Sequence, residues 1–119
     1  MTLAPETTDL KVQLRLAQHA EEWFTVCDLS LLVPGRGVAA LLPDGRQVAL
    51  FRDRAGELYA VDNRDPFSGA AVLSRGLTGT HRGRPFVASP LLKQRFDLTS
   101  GECLDDETVR IHTYEVRTA

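Results

Sequence analysis

Val87-Ala88-Ser89-Pro90-Leu91-Leu92-Lys93-Gln94-Arg95-Phe96-Asp97-Leu98, followed by Thr99-Ser100-Gly101, is the stretch whose reading decides the fold. Phe86 to Ala88 and Arg95 to Leu98 are short β-rich runs, and Pro90 stands between them, where it cannot continue a ladder. Ser100-Gly101 is a turn pair that ends the second run. Two paired strands bridged by a proline-stiffened loop are therefore expected. Upstream, Ala60-Val61-Asp62-Asn63-Arg64-Asp65-Pro66 makes the same kind of transition, from a strand into a polar loop. From Asp62 to Gly83 the chain holds polar residues, a proline and four glycines, with one short helix candidate at Ala70 to Ser74. So long an irregular segment inside a small domain points to function.

Working outward, Val38 to Leu42 and Gln47 to Arg52 are β-rich runs separated by Pro43-Asp44-Gly45, whose Asp-Gly pair supplies the positive φ of a tight hairpin. Val48 and Leu50 face one way; Gln47, Ala49 and Phe51 face the other. A turn at Asp53 to Gly56 leads to Leu58 to Val61, completing a meander. Trp23 to Cys27 reads as a strand, after which Asp28 is placed to N-cap a short helical turn through Leu32. Val109 to Val116 reads as a last strand whose apolar parity shifts near Thr113, predicting a bulge. The domain proper is expected to span 23–119, preceded by a partly flexible extension, 1–22. Within that extension Leu10 to Ala20 fits strand alternation and a helix face equally well.

The chain has 119 residues, 43% hydrophobic and 25% charged, which is the composition of one globular domain rather than of a disordered chain. A net charge of −2 argues against nucleic acid as a partner. Cys27 and Cys103 have no metal-ligand spacing and read as small packed apolar residues. The absence of an apolar run of about 18 residues argues against a membrane partner, and the polar start Met1 to Asp9 does not resemble a secretory signal. A cytoplasmic protein is expected. His19, His81 and His112 are scattered, with no nucleophile–base arrangement. His112 is expected to be a solvent-facing strand residue and His81 a loop-tip residue. Glu102 to Glu107 lacks the alternating oxygen ligands of a calcium loop and reads as a solvated acidic loop. No catalytic residue and no metal ligand is expected.

The two loop segments resemble the cluster-binding loops of Rieske iron–sulfur proteins. That pattern is Cys-x-His in the first loop and Cys-Pro-x-His in the second, followed by an aromatic-Asp-Leu strand and a Thr/Ser-Gly turn. Ser89-Pro90-Leu91-Leu92 and Phe96-Asp97-Leu98-Thr99-Ser100-Gly101 keep that outline, and the likeness extends from about Trp23 to Arg117. It implies a mainly β, Rieske-like antiparallel sandwich or barrel with a small irregular, loop-rich subdomain. The ligand positions, however, are Asn63 and Asp65 in the first loop, Ser89 and Leu92 in the second. A Rieske centre needs two thiolates on one iron and two imidazoles on the other, so no cluster is expected. Val48 to Arg52, Tyr59 to Ser68, Val72 to Gly76 and Ala88 to Leu91 resemble the small subunits of assimilatory NAD(P)H-dependent nitrite reductases. That resemblance implies a cofactor-free subunit beside a large catalytic subunit carrying flavin, an iron–sulfur cluster and sirohaem, which reduces nitrite to ammonium. A freestanding cluster-less interaction or ligand-binding module is the competing reading. The old cluster tip is the expected docking face, with Arg64, Pro66, Phe67, Pro90, Lys93 and Arg95 in or near it.

Overall fold

The computed structural model describes residues 10–15 and 22–119. Among these, the strands are β1 (Lys11–Arg15), β2 (Trp23–Asp28), β3 (Val38–Leu41), β4 (Gln47–Arg52), β5 (Leu58–Asp62), β6 (Leu77–His81), β7 (Arg84–Ala88), β8 (Arg95–Asp97) and β9 (Thr113–Thr118). Single 3₁₀ turns occupy Leu29–Leu31 and Leu73–Arg75. A six-stranded antiparallel sheet has the order β2-β1-β9-β5-β4-β3, and its end strands touch, so it nearly closes into a barrel. A second, three-stranded antiparallel sheet, β6-β7-β8, carries the Pro90 loop.

Side-chain alternation on β4 explains how the two sheets share a core. Val48 and Leu50 enter a cluster inside the large sheet with Val12, Leu14, Ala60 and Tyr114. Ala49 and Phe51 enter a second cluster, against Val87 and Phe96 of the small sheet and Leu98 just beyond it. β4 is thus buried on both faces, which fixes its register from both sides.

Several expectations hold and others change. The meander forms as read, with Gly45 at φ 91 in its first turn. Asp28 does not cap the turn at Leu29–Leu31; its carboxylate instead pairs with Lys11 across the β1–β2 ladder. The helix candidate at Ala70 to Ser74 is a 3₁₀ turn shifted to Leu73–Arg75. Leu77–His81, read as irregular, is a strand, and His81 ends it rather than occupying a loop tip. Its one large apolar residue is Leu77, so no alternation announced it; its partner β7 supplies the ordering. The last run is divided: Arg110 makes an isolated bridge to Glu102, and β9 begins at Thr113. β1 places Lys11–Arg15 between β2 and β9, with Val12 and Leu14 fully buried. Residues 1–9 and 16–21, including His19, lie outside the described residues.

Candidate functional site: two loops tied by buried hydrogen bonds

The first loop leaves β5 after Asp62. Asp65 turns it by accepting Phe67 N–H at 2.9 Å on Oδ1, and the loop closes through Asp65 N–H to the Ala70 carbonyl at 2.8 Å. The second loop spans β7 to β8; Lys93 N–H donates to the Ser89 carbonyl and Ser89 N–H to the Gln94 carbonyl. Lys93 has φ 71, an αL conformation that a non-glycine residue adopts only where the surroundings enforce it.

Of the four positions read from the sequence as former ligand sites, Asn63, Asp65 and Ser89 are buried, and Asp65 and Ser89 are bonded to each other. The Ser89 hydroxyl donates to Asp65 Oδ2 at 2.6 Å, joining the two loops across 24 positions of sequence. Asn63 donates through Nδ2 to Gln47 Oε1 and to the Ala71 carbonyl, and its Oδ1 accepts Ser74 N–H at 2.7 Å. Asn63, Asp65 and Ser89 are all no more than 1% exposed, whereas Leu92 is 52% exposed. An amide, a carboxylate, a hydroxyl and a leucine do not supply two thiolates and two imidazoles, so these residues do not fit a Rieske cluster. The Asp65–Ser89 bond ties one loop to the other, Asn63 braces the first loop on Gln47, Ala71 and Ser74, and each of these three polar side chains has a partner. Among the described residues no group of three or more histidine, cysteine or acidic side chains is arranged to hold a metal ion.

The expected docking residues fall into three sets. Arg64, Pro66 and Lys93 are exposed at the loop tip. Phe67 is half-buried, its ring 6.1 Å from Phe96 and packed on the second core cluster, and Pro90 is likewise half-buried. Arg95 is engaged elsewhere: it pairs with Asp105 at 2.8 Å and lies over the Phe86 ring. Leu91 and Leu92, both 52% exposed, make the second loop partly apolar, and Leu77 of β6 is 74% exposed. The Leu-Leu pair between Pro90 and Lys93 was the available signal, since a proline-stiffened turn offers little room to bury both side chains.

The remaining polar clusters are structural. Asp97, nearly buried, accepts Arg84 Nε at 2.5 Å and the N–H groups of Thr99 and Ser100. Burial opposes its ionisation, but those hydrogen bonds outweigh it and hold the carboxyl below its usual range. In the acidic loop, Glu102 pairs with Arg84, Asp105 with Arg95, and Asp106 accepts the Thr108 hydroxyl. Burial, then the hydrogen bond to Asp62, pushes the Tyr114 hydroxyl well above its ordinary value. Cys103 is buried and Cys27 half-buried; burial, then Asp28, raises the Cys27 thiol. His112 is exposed, edge-on to Tyr114.

Among the described residues no helix is long and apolar enough to cross a membrane. The Rieske-like [2Fe-2S] domain family model matches residues 22–119. The chain is 45% identical over 97 residues to the nitrite reductase (NADH) small subunit of Salmonella typhimurium, covering 81% of this chain and 89% of that one. It is 38% identical over 113 residues to the nitrite reductase [NAD(P)H] large subunit of Klebsiella oxytoca, covering 95% of this chain but 12% of that protein. A crystal structure from Mycobacterium tuberculosis, proposed to be an NADH-dependent nitrite reductase small subunit, matches with a TM-score of 0.78 and 55% identity over 81% of this chain and 85% of that one. A barrel-like sheet, a small loop-bearing sheet and identity of this extent have one reading: the chain belongs to the Rieske-like [2Fe-2S] domain family, among the nitrite reductase small subunits.

Proposed function

We propose that this chain is the cofactor-free small subunit of a cytoplasmic NAD(P)H-dependent nitrite reductase. It docks on and supports a large catalytic subunit that carries flavin, an iron–sulfur cluster and sirohaem and reduces nitrite to ammonium. The observation that carries this reading is the near full-length identity to a nitrite reductase small subunit. The Klebsiella large subunit adds to it, because there a region similar to this chain is part of one polypeptide with the large chain. Such a tether keeps two surfaces at high effective concentration.

The loop tip is the proposed docking face, with Arg64, Pro66, Pro90 and Lys93 at its surface and Phe67 beneath. Exposed Leu91 and Leu92 supply apolar area beside two cations, a composition suited to a partner rather than to water. Arg95, paired with Asp105, would support the loop's base. The domain is proposed to be 23–119 completed by β1, with the rest of 1–22 as an extension. Affinity purification of the tagged chain from cells grown on nitrate tests the reading. Recovery of a much larger flavin- and sirohaem-containing protein, and poor growth of a deletion strain on nitrite but not ammonium, are expected. Equal growth on both, with no such protein recovered, would favour the freestanding module.

A further inference from the structure

We infer that the free edge of β6 is a strand-addition site that receives an extended, acidic segment of the large subunit; this rests on the reading above. β6 and β7 are joined by the two-residue turn Arg82-Gly83, both at positive φ (51 and 78), with His81 opposite Arg84. In such a hairpin the closing pair exchanges both backbone hydrogen bonds, and the bonded pairs then alternate. His81, Gly79 and Leu77 therefore spend their backbone groups on β7. The N–H and C=O groups of Thr78 and Thr80 point away from it. The other side of β7 agrees in phase, because the Pro85 carbonyl accepts Leu98 N–H from the β8 side at 2.9 Å. Neither Thr78 nor Thr80 makes a backbone bond to any other described segment.

Natural sheets guard such edges with lysine, proline, a bulge or a cover. Leu77-Thr78-Gly79-Thr80-His81 contains no lysine or proline, and its register with β7 is unbroken. Along this strand runs a groove of about 480 Å³ lined by Thr78, Gly79 and Thr80 on one side and by Phe51, Tyr59 and Leu98 among its apolar residues. Unpaired backbone groups beside a groove of mixed polar and apolar lining are the two components of strand-addition recognition.

Charge selects the occupant. The groove's ionisable lining, besides Tyr59, is Arg52, Asp53 and Arg54. Asp53 is consumed internally, accepting the N–H groups of Ala55 and Glu57 and the Tyr59 hydroxyl. Arg52 and Arg54 have no ion-pair partner among the described residues. An acidic segment is favoured, and a second copy is not, because two-fold pairing of this edge would bring the same arginines together.

The test pairs amide exchange with two substitutions at Thr80. In the isolated chain the Thr78 and Thr80 amides should exchange quickly; on addition of purified large subunit both should become protected. Thr80→Pro removes an outward N–H at an edge position, where proline is tolerated, and should weaken binding by about ten- to a hundredfold. Thr80→Val keeps the N–H and should bind as wild type. Wild-type affinity for a folded Thr80→Pro protein, or a complex without protection at β6, overturns the edge proposal while leaving the partnership intact. If Thr80→Pro fails to fold, protection in the wild-type complex still decides. Protection in the isolated chain that grows with concentration, alongside dimers, would assign the edge to a second copy and overturn the occupant. Failure of the wild-type chain to bind the large subunit at all overturns the underlying reading.

Discussion

Asp65 and Ser89 join the two loops through one buried hydrogen bond. Asp65 is fully buried and divides its oxygens, one for the Phe67 N–H of its own loop and one for the Ser89 hydroxyl of the other. Removing the carboxylate leaves two donors without acceptors, which costs about 1–3 kcal/mol for each group that water cannot reach. Asp65→Ala is therefore expected to lower the melting temperature more than Ser89→Ala, which deprives one carboxylate oxygen of its donor and the N–H of the exposed Leu91 of a longer, 3.3 Å acceptor. Thermal unfolding of the two variants and the double variant measures the coupling. Additive losses would show that the 2.6 Å contact carries little energy. The glycines separate in the same way. Gly45, at φ 91, has nothing within 4 Å of the place a methyl group would take, so Gly45→Ala should cost only backbone strain, about 1 kcal/mol. A Cβ on Gly76 would press on the Ala88 carbonyl and lie 2.7 Å from Val87 Cγ2. Gly76→Ala should thus destabilise the protein more than Gly45→Ala, although Gly76 has an ordinary φ of −75.

At the scale of elements, the first loop is held by its own aromatic residue. Phe67 is half-buried against Phe96, so Phe67→Ala removes part of a core contact and part of a surface one. Stability should fall by about 1.5–3 kcal/mol, below the roughly 3–5 kcal/mol typical of deleting a fully buried phenylalanine. Dissociation from the large subunit should quicken as well. The charges at the tip act differently. Arg64 and Lys93 are exposed, and neither has an ion-pair partner among the described residues. Arg64→Glu with Lys93→Glu is expected to slow association and flatten its salt dependence, with little change in melting temperature. Wild-type association rates in this double variant would move the docking face away from the tip.

For the molecule as a whole, acid stability follows from its carboxylates. Asp97 lies below its ordinary value because hydrogen bonds from Ser100, Arg84 and Thr99 overcome burial. Asp105 is lowered by the hydrogen bonds of Arg95, and Asp106 by those of Thr108. A folded-state value below the unfolded one adds stability that is complete above the unfolded value, near 4, and is lost as pH falls through the folded value. The denaturation midpoint should hold from neutral pH to about 4 and decline below it. Arg84→Ala should lower that midpoint at neutral pH, and the gap to wild type should narrow once Asp97 is protonated. The ligand set makes a spectroscopic prediction too. The purified chain should show no Rieske-like absorption between about 400 and 600 nm and no stoichiometric iron. Iron with such a spectrum would overturn the assignment of Asn63, Asp65, Ser89 and Leu92.

Local sequence by itself determined the meander, the Pro90 loop and its flanking strands, because each carries short-range marks: alternation, an Asp-Gly turn, a proline between two β-rich runs. The lack of a thiol or imidazole at Asn63, Asp65, Ser89 and Leu92 is legible in the same way, one residue at a time. Tertiary structure alone decided the rest. Whether Lys11–Arg15 is strand or helix depends on β2 and β9, which flank it in the sheet. Leu77–His81 is a strand because β7 pairs with it, not because its own side chains alternate. The pairing of Arg95, a proposed docking cation, with Asp105, ten residues away, is announced by no local pattern. The Asp65–Ser89 bond is the same case over a longer span. Such pairings depend on where distant backbone comes to rest, and propensity is a property of neighbours along the chain.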